Sequence, residues 1–137
     1  MTAQFTESLI YNKKKLRMCT LPFSNYLYLA GIDNPFKSNC SALWRGYTGT
    51  WEILDGRLYL VKLYGHLQDG TEGNMETFFP GFPHRVFAHW YSGTLRIAQG
   101  DTLKYVHMGF QSIHESDFFI QIQKGIVIHK YIVNNDK

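Results

Sequence analysis

No long stretch of this chain carries the three-to-four-residue apolar period of a helix; where a period shows, it is two. Period two puts successive side chains on opposite faces of a strand. Leu9-Ile10-Tyr11, the turn-favouring Asn12 with Lys13-Lys14, and Leu16 to Thr20 predict a short opening hairpin. Tyr47 to Leu54 leads into Asp55-Gly56 and Arg57 to Tyr64 returns. Asp-Gly fits a two-residue turn because both central positions need positive φ. Val86 to Ile97 and Leu103 to Met108 read as a second central hairpin joined around Gln99-Gly100. Phe118 to Gln123 and Ile126 to Val133 read as a third, joined at Lys124-Gly125, with Phe118, Ile120 and Ile122 on one face.

Between Pro22 and Pro35 the alternation fails, and Gly31 could close a short helix near residues 24–30. Residues 65–85 are punctuated by Gly65, Gly70, Gly73, Pro80, Gly81 and Pro83, and predict a long irregular stretch. Its phenylalanines Phe78, Phe79 and Phe82 favour capping a core over exposure. About eight strands at hairpin spacing predict an all-β fold of antiparallel hairpins, forming a barrel-like or sandwich domain. The whole chain, residues 1–137, reads as one domain with its core over about 8–133.

The chain nearly repeats itself. Tyr47-Thr48-Gly49-Thr50-Trp51-Glu52-Ile53 is echoed 44 residues later by Tyr91-Ser92-Gly93-Thr94-Leu95-Arg96-Ile97. The register holds through Gly56 and Gly100 and through Gly65 and Gly109, so two similar hairpins are expected at 47–65 and 91–109. Gly49 and Gly93 then fall inside strands, where glycine marks a bulge, a bend or a close backbone approach; the bend is preferred. Glu52 and Arg96 correspond, and would form a cross-strand ion pair if the two hairpins pair.

Composition narrows the function classes. With 10 Phe, 9 Tyr and 3 Trp, the 137 residues can bury a real core, and the composition argues against disorder. The net charge of +3 is carried by the first 20 residues, through Lys13, Lys14, Lys15 and Arg17 against Glu7. The remainder holds 10 basic and 10 acidic side chains, which argues against an extended nucleic-acid surface. The Lys13–Lys15 run sits where a solvated turn is expected. Cys19 and Cys40 have no metal-type spacing and read as free thiols of a reducing cytosol, though one disulfide remains open. No signal-peptide pattern and no apolar run of membrane-spanning length appears, so a cytoplasmic protein without membrane attachment is expected.

Candidate chemistry is sparse. There is no Gly-x-Ser-x-Gly, no phosphate-cradling glycine loop and no His-Glu-x-x-His. Six histidines are present, four of them between residues 84 and 114, without the local spacing of a metal site. His89 and His107 fall on neighbouring strands of the expected second hairpin. Trp44-Arg45-Gly46-Tyr47 and Ala88-His89-Trp90-Tyr91 occupy the same places in the two repeats. Each brings aromatic with cationic or polar groups to a hairpin start, a combination that serves recognition or finishes a core edge. Trp44, Arg45, His89, Trp90 and His107 are therefore the candidate binding residues. No catalytic residue, metal ligand or cofactor is assigned, and Glu115 with Asp117 reads as a solvated turn.

Trp44 through Ile53, Tyr91 through Ile97 and Tyr105-Val106-His107-Met108-Gly109 together resemble a group of small uncharacterised bacterial single-domain proteins with no established activity. The likeness covers most of residues 8–133 and implies a bacterial cytoplasmic origin; it carries over no catalytic residue. The expected function is that of a non-enzymatic protein that binds or regulates another protein, as immunity and inhibitor proteins do. The alternative is a barrel that binds a small molecule or nucleotide, even an enzyme, with its pocket at one barrel end.

Overall fold

The computed structural model describes residues 6–38, 43, 45–82, 84–104 and 113–135. Along the chain run β1 (Glu7–Tyr11), β2 (Lys14–Met18), α1 (Pro22–Leu29), β3 (Tyr47–Leu54), β4 (Arg57–His66) and β5 (Glu72–Asn74). They are followed by α2 (Met75–Phe78), β6 (Val86–Phe87), β7 (Gly93–Lys104), β8 (Ile113–Gln123) and β9 (Ile126–Asn134). Three two-residue turns fix the hairpin registers. Asn12 and Lys13 (φ 51° and 64°), Asp55 and Gly56 (51° and 72°) and Lys124 and Gly125 (49° and 82°) all take positive φ. Turns of this hand match the right-handed twist of the strands they join.

The strands close into a barrel of seven, in the order β3-β1-β2-β7-β8-β9-β4, with β4 returning to β3. All pairings are antiparallel except one. β1 runs parallel to β3, with Ser8 opposite Thr50 and Leu9 opposite Trp51. A parallel neighbour needs a crossover, and the chain through α1 supplies it. The edge of β4 away from β3 is shared: β9 meets it at Arg57↔Ile126, β6 at Tyr59 and Leu60, and β5 from Tyr64 to His66. Inward positions alternate along each strand, and Leu9, Trp51, Leu58, Leu60, Ile97 and Ile120 are fully buried.

Aromatic side chains plug the interior around the start of β3. Pro22 opens α1 in its first turn, and Gly31 (φ 71°) follows its end. Phe23 is fully buried, with Tyr26, Phe36, Tyr47, Phe78 and Phe79 around it at ring distances of 5.2–6.3 Å. Phe78 and Phe79 are carried by α2, whose start is closed by reciprocal bonds between Asn74 and Thr77. Two of the three phenylalanines expected to cap a core therefore do so, while Phe82 is exposed.

Several expectations are corrected. Asp117, read with Glu115 as part of a solvated turn, lies within β8, buried and paired with Arg96. The second central hairpin does not turn at Gln99-Gly100: β7 runs through those residues and pairs with β8, the register shifting between Gln99 and Thr102. A glycine that reads as a turn serves equally well at a strand irregularity. Val86–Phe87 is a separate short strand on β4, and the rest of the expected return, residues 105–108, lies outside the described residues. Nor do Glu52 and Arg96 pair. β1 and β2 stand between β3 and β7, so Glu52 lies beside Ile10 and Tyr59 while Arg96 binds Asp117 at 3.1 Å. Among the described residues, no helix is long and apolar enough to cross a membrane.

Candidate functional site

The alternation that sends Leu9 inward also sends Glu7 inward, burying a carboxylate. Arg45, just before β3, meets it with Nη2 donating to Oε2 at 2.7 Å. The Gly49 N–H also donates to Oε2, at 2.9 Å, and the Trp51 indole N–H to Oε1 at 3.2 Å. Burial pushes the Glu7 carboxyl up from its ordinary value, against the pull of Arg45 and these two donors. The Arg45 guanidinium also lies 5.4 Å from the Tyr47 ring centroid. Gly49 is required here by close approach: a Cβ would stand 2.6 Å from Glu7 Oε1 and 3.0 Å from the Trp51 indole nitrogen. We predict that Gly49→Ala lowers stability by about 1–3 kcal/mol, as an overpacked core does, in urea unfolding.

Of the residues singled out in the sequence, Arg45 thus faces a buried carboxylate. Trp90 stacks on Phe79 at 5.8 Å, packs its edge against Trp51 at 6.3 Å, and donates its indole N–H to the Pro22 carbonyl at 3.0 Å. Arg45 and Trp90 are linked through Trp51 and Glu7, inside the protein. His89 is exposed in the turn before β7, its ring beside those of Phe87 and Trp90. Trp44 and His107 lie outside the described residues. Among the described residues, no three His, Cys, Asp or Glu side chains group as metal ligands would.

Two surfaces missing from that list stand out. The first is a groove of about 500 Å³ on the outer wall. Its floor is made of small side chains, Ser8 of β1 and Thr48 and Thr50 of β3, which the parallel pairing brings side by side. Its sides are long ones: Lys15 of β2 on one flank, and Lys62 and Tyr64 of β4 on the other. A convex barrel wall holds such a depression because short residues lie between long ones. None of the lining side chains is acidic. Beyond Lys62 and Tyr64 a shallower depression of about 300 Å³ is lined by Glu72 and Glu76.

The second surface is β9. Ile126, Ile128, Tyr131, Ile132 and Val133 are all at least 39% exposed, and they occupy both faces of the strand. Beyond Ile126, no described strand lies along its outer edge. Lys130 reaches across to donate to the Tyr11 hydroxyl at 2.8 Å, and Phe119 stacks with Tyr131 at 5.1 Å. The strand itself carries His129 and Lys130 and no acidic residue. The apolar residues of β9 are visible in the sequence, but its lack of a second described neighbour is not.

No family model, curated protein or solved structure matches this chain.

Proposed function

We propose that this chain is a non-enzymatic binding protein of the cytoplasm, and that it engages another protein by accepting an extended segment along β9. One observation carries the reading: exposed apolar side chains on both faces of a strand whose outer edge is paired, among the described residues, at a single position. An open edge presents a row of backbone donors and acceptors that another strand satisfies. Side chains on the two faces of the added strand would cover Ile128 and Ile132 on one side and Tyr131 and Val133 on the other. His129 and Lys130, with Lys124 in the adjoining turn, favour an acidic partner segment over a second copy of this basic strand. Cytoplasmic residence fits the free Cys19 thiol.

The test compares the wild type with Ile128→Lys/Ile132→Lys as baits for host lysate. Both positions are exposed, so unfolding midpoints of the two proteins should agree. The expected result is one stoichiometric partner whose recovery falls at least about tenfold with the variant, equivalent to the loss of 1.4 kcal/mol of binding. Equal recovery by both baits would sink the reading. So would self-association of the wild type that the variant abolishes, with no second protein present.

A further inference from the structure

We infer that the outer-wall groove between Lys15 and Lys62 is a binding site for a phosphomonoester of a sugar or nucleoside. It lies on β1, β2, β3 and β4, away from β9, and stands on its own observations. Ser8, Thr50 and Lys62 lie directly opposite one another across three adjacent strands, and Thr48 and Tyr64 form the next row. The two rows therefore offer a neutral hydroxyl floor beside an ammonium group. Lys15 stands across the groove, two residue pairs further along the β1–β2 ladder, opposite Ile10. Among the described residues the ion pairs are Arg45–Glu7 and Arg96–Asp117, so neither lysine is held by a carboxylate.

Two ammonium groups around hydroxyls that both donate and accept suit a doubly charged oxyanion. Lysine binds phosphate as a mobile point charge, and hydroxyls complete the oxygen shell. The groove has room for more than a bare anion. At about 500 Å³ it falls within the ~300–1,000 Å³ range of small-molecule sites, far more than orthophosphate fills. The remaining space runs to Tyr64, whose ring is 45% exposed and held edge-on by His66 at 5.5 Å. That ring offers a face to a sugar or base, while Thr48 and Thr50 meet ligand hydroxyls. The carboxylates nearby do not line the groove: Glu72 and Glu76 lie beyond Lys62 and Tyr64, and Glu52 lies further along β3, beside Ile10. Glu72 and Glu76 repel the phosphate from their side and leave it between the lysines.

Isothermal titration of the full chain with ribose 5-phosphate and with AMP tests this, with ribose, adenosine and orthophosphate as comparisons. One saturable site is expected for at least one ester, at least about tenfold tighter than for any of the three comparisons. Lys62→Gln and Lys15→Gln should each weaken it by about tenfold, the scale of one charge-assisted hydrogen bond. Both lysines are exposed, so the unfolding midpoints should not move. Tighter AMP would identify the nucleoside as the natural group, and tighter ribose 5-phosphate the sugar. No saturation by either ester at millimolar concentration overturns the inference. Equal binding of orthophosphate or of the neutral compounds does so too, as does affinity unchanged in Lys62→Gln.

Discussion

Arg45→Met is expected to lower the unfolding free energy by about 3–5 kcal/mol, because it leaves the Glu7 carboxylate buried without its countercharge. Adding Glu7→Gln should then restore stability. Glutamine keeps one oxygen, so one of the Gly49 and Trp51 donors retains its acceptor, and it removes the charge that Arg45 had matched. Roughly half of the loss or more should return, since a buried ion pair replaced as a unit costs far less than one that is broken. Urea unfolding of wild type, both single variants and the double closes the cycle. Losses that merely add would show that the two side chains do not act together.

The pH dependence follows from the same geometry. Burial already raises Glu7 above its ordinary value of 4.5, and removing Arg45 raises it further. A carboxyl raised in the folded state holds its proton there after the unfolded chain has released it. Its contribution is complete below the unfolded value and is lost as pH rises through the folded one. The deficit of Arg45→Met relative to wild type should therefore be smallest below about pH 4.5 and grow toward neutrality.

Phe23→Ala is expected to cost about 3–5 kcal/mol, the range for emptying a fully buried aromatic site. The five rings around Phe23 come from α1, α2, β3 and the segment holding Phe36, so no single movement can refill the space. Pro22 and Trp90 are bonded beside it, so the near-ultraviolet signal of Trp90 should change with the loss. Phe82→Ala, from the same aromatic-rich stretch, should fall within about 0.5 kcal/mol of wild type because its ring is exposed. A small loss at Phe23 would mean that α1 and α2 are not seated as described.

Local chemistry made much of this fold readable from the sequence. Asn12, Asp55 with Gly56, and Gly125 announce their turns as residues that tolerate positive φ, and three hairpins follow. Gln99-Gly100 misled because a strand irregularity and a turn draw on the same residue. The near-repeat placed Gly49 inside a strand, but its cause is long-range: Glu7, 42 residues earlier, needs the space. Glu7 could have been noticed as a charge in step with inward-facing Leu9. The groove could not, since Ser8 and Thr50 meet only through the parallel pairing of β1 with β3, which no turn residue signals. The candidates Arg45 and Trp90 were visible as cation and aromatic, and the fold joins them through Trp51 in the interior.

Amide hydrogen exchange along β9, on the protein alone and on its complex with the captured partner, tests the central claim most directly. In the free protein, the account predicts fast exchange at alternate amides between 128 and 134, those pointing away from β8, with protection at the intervening ones. In the complex the fast set should become protected. Uniform protection along β9 in the free protein, or fast exchange that persists once the partner is bound, would contradict recognition through this edge.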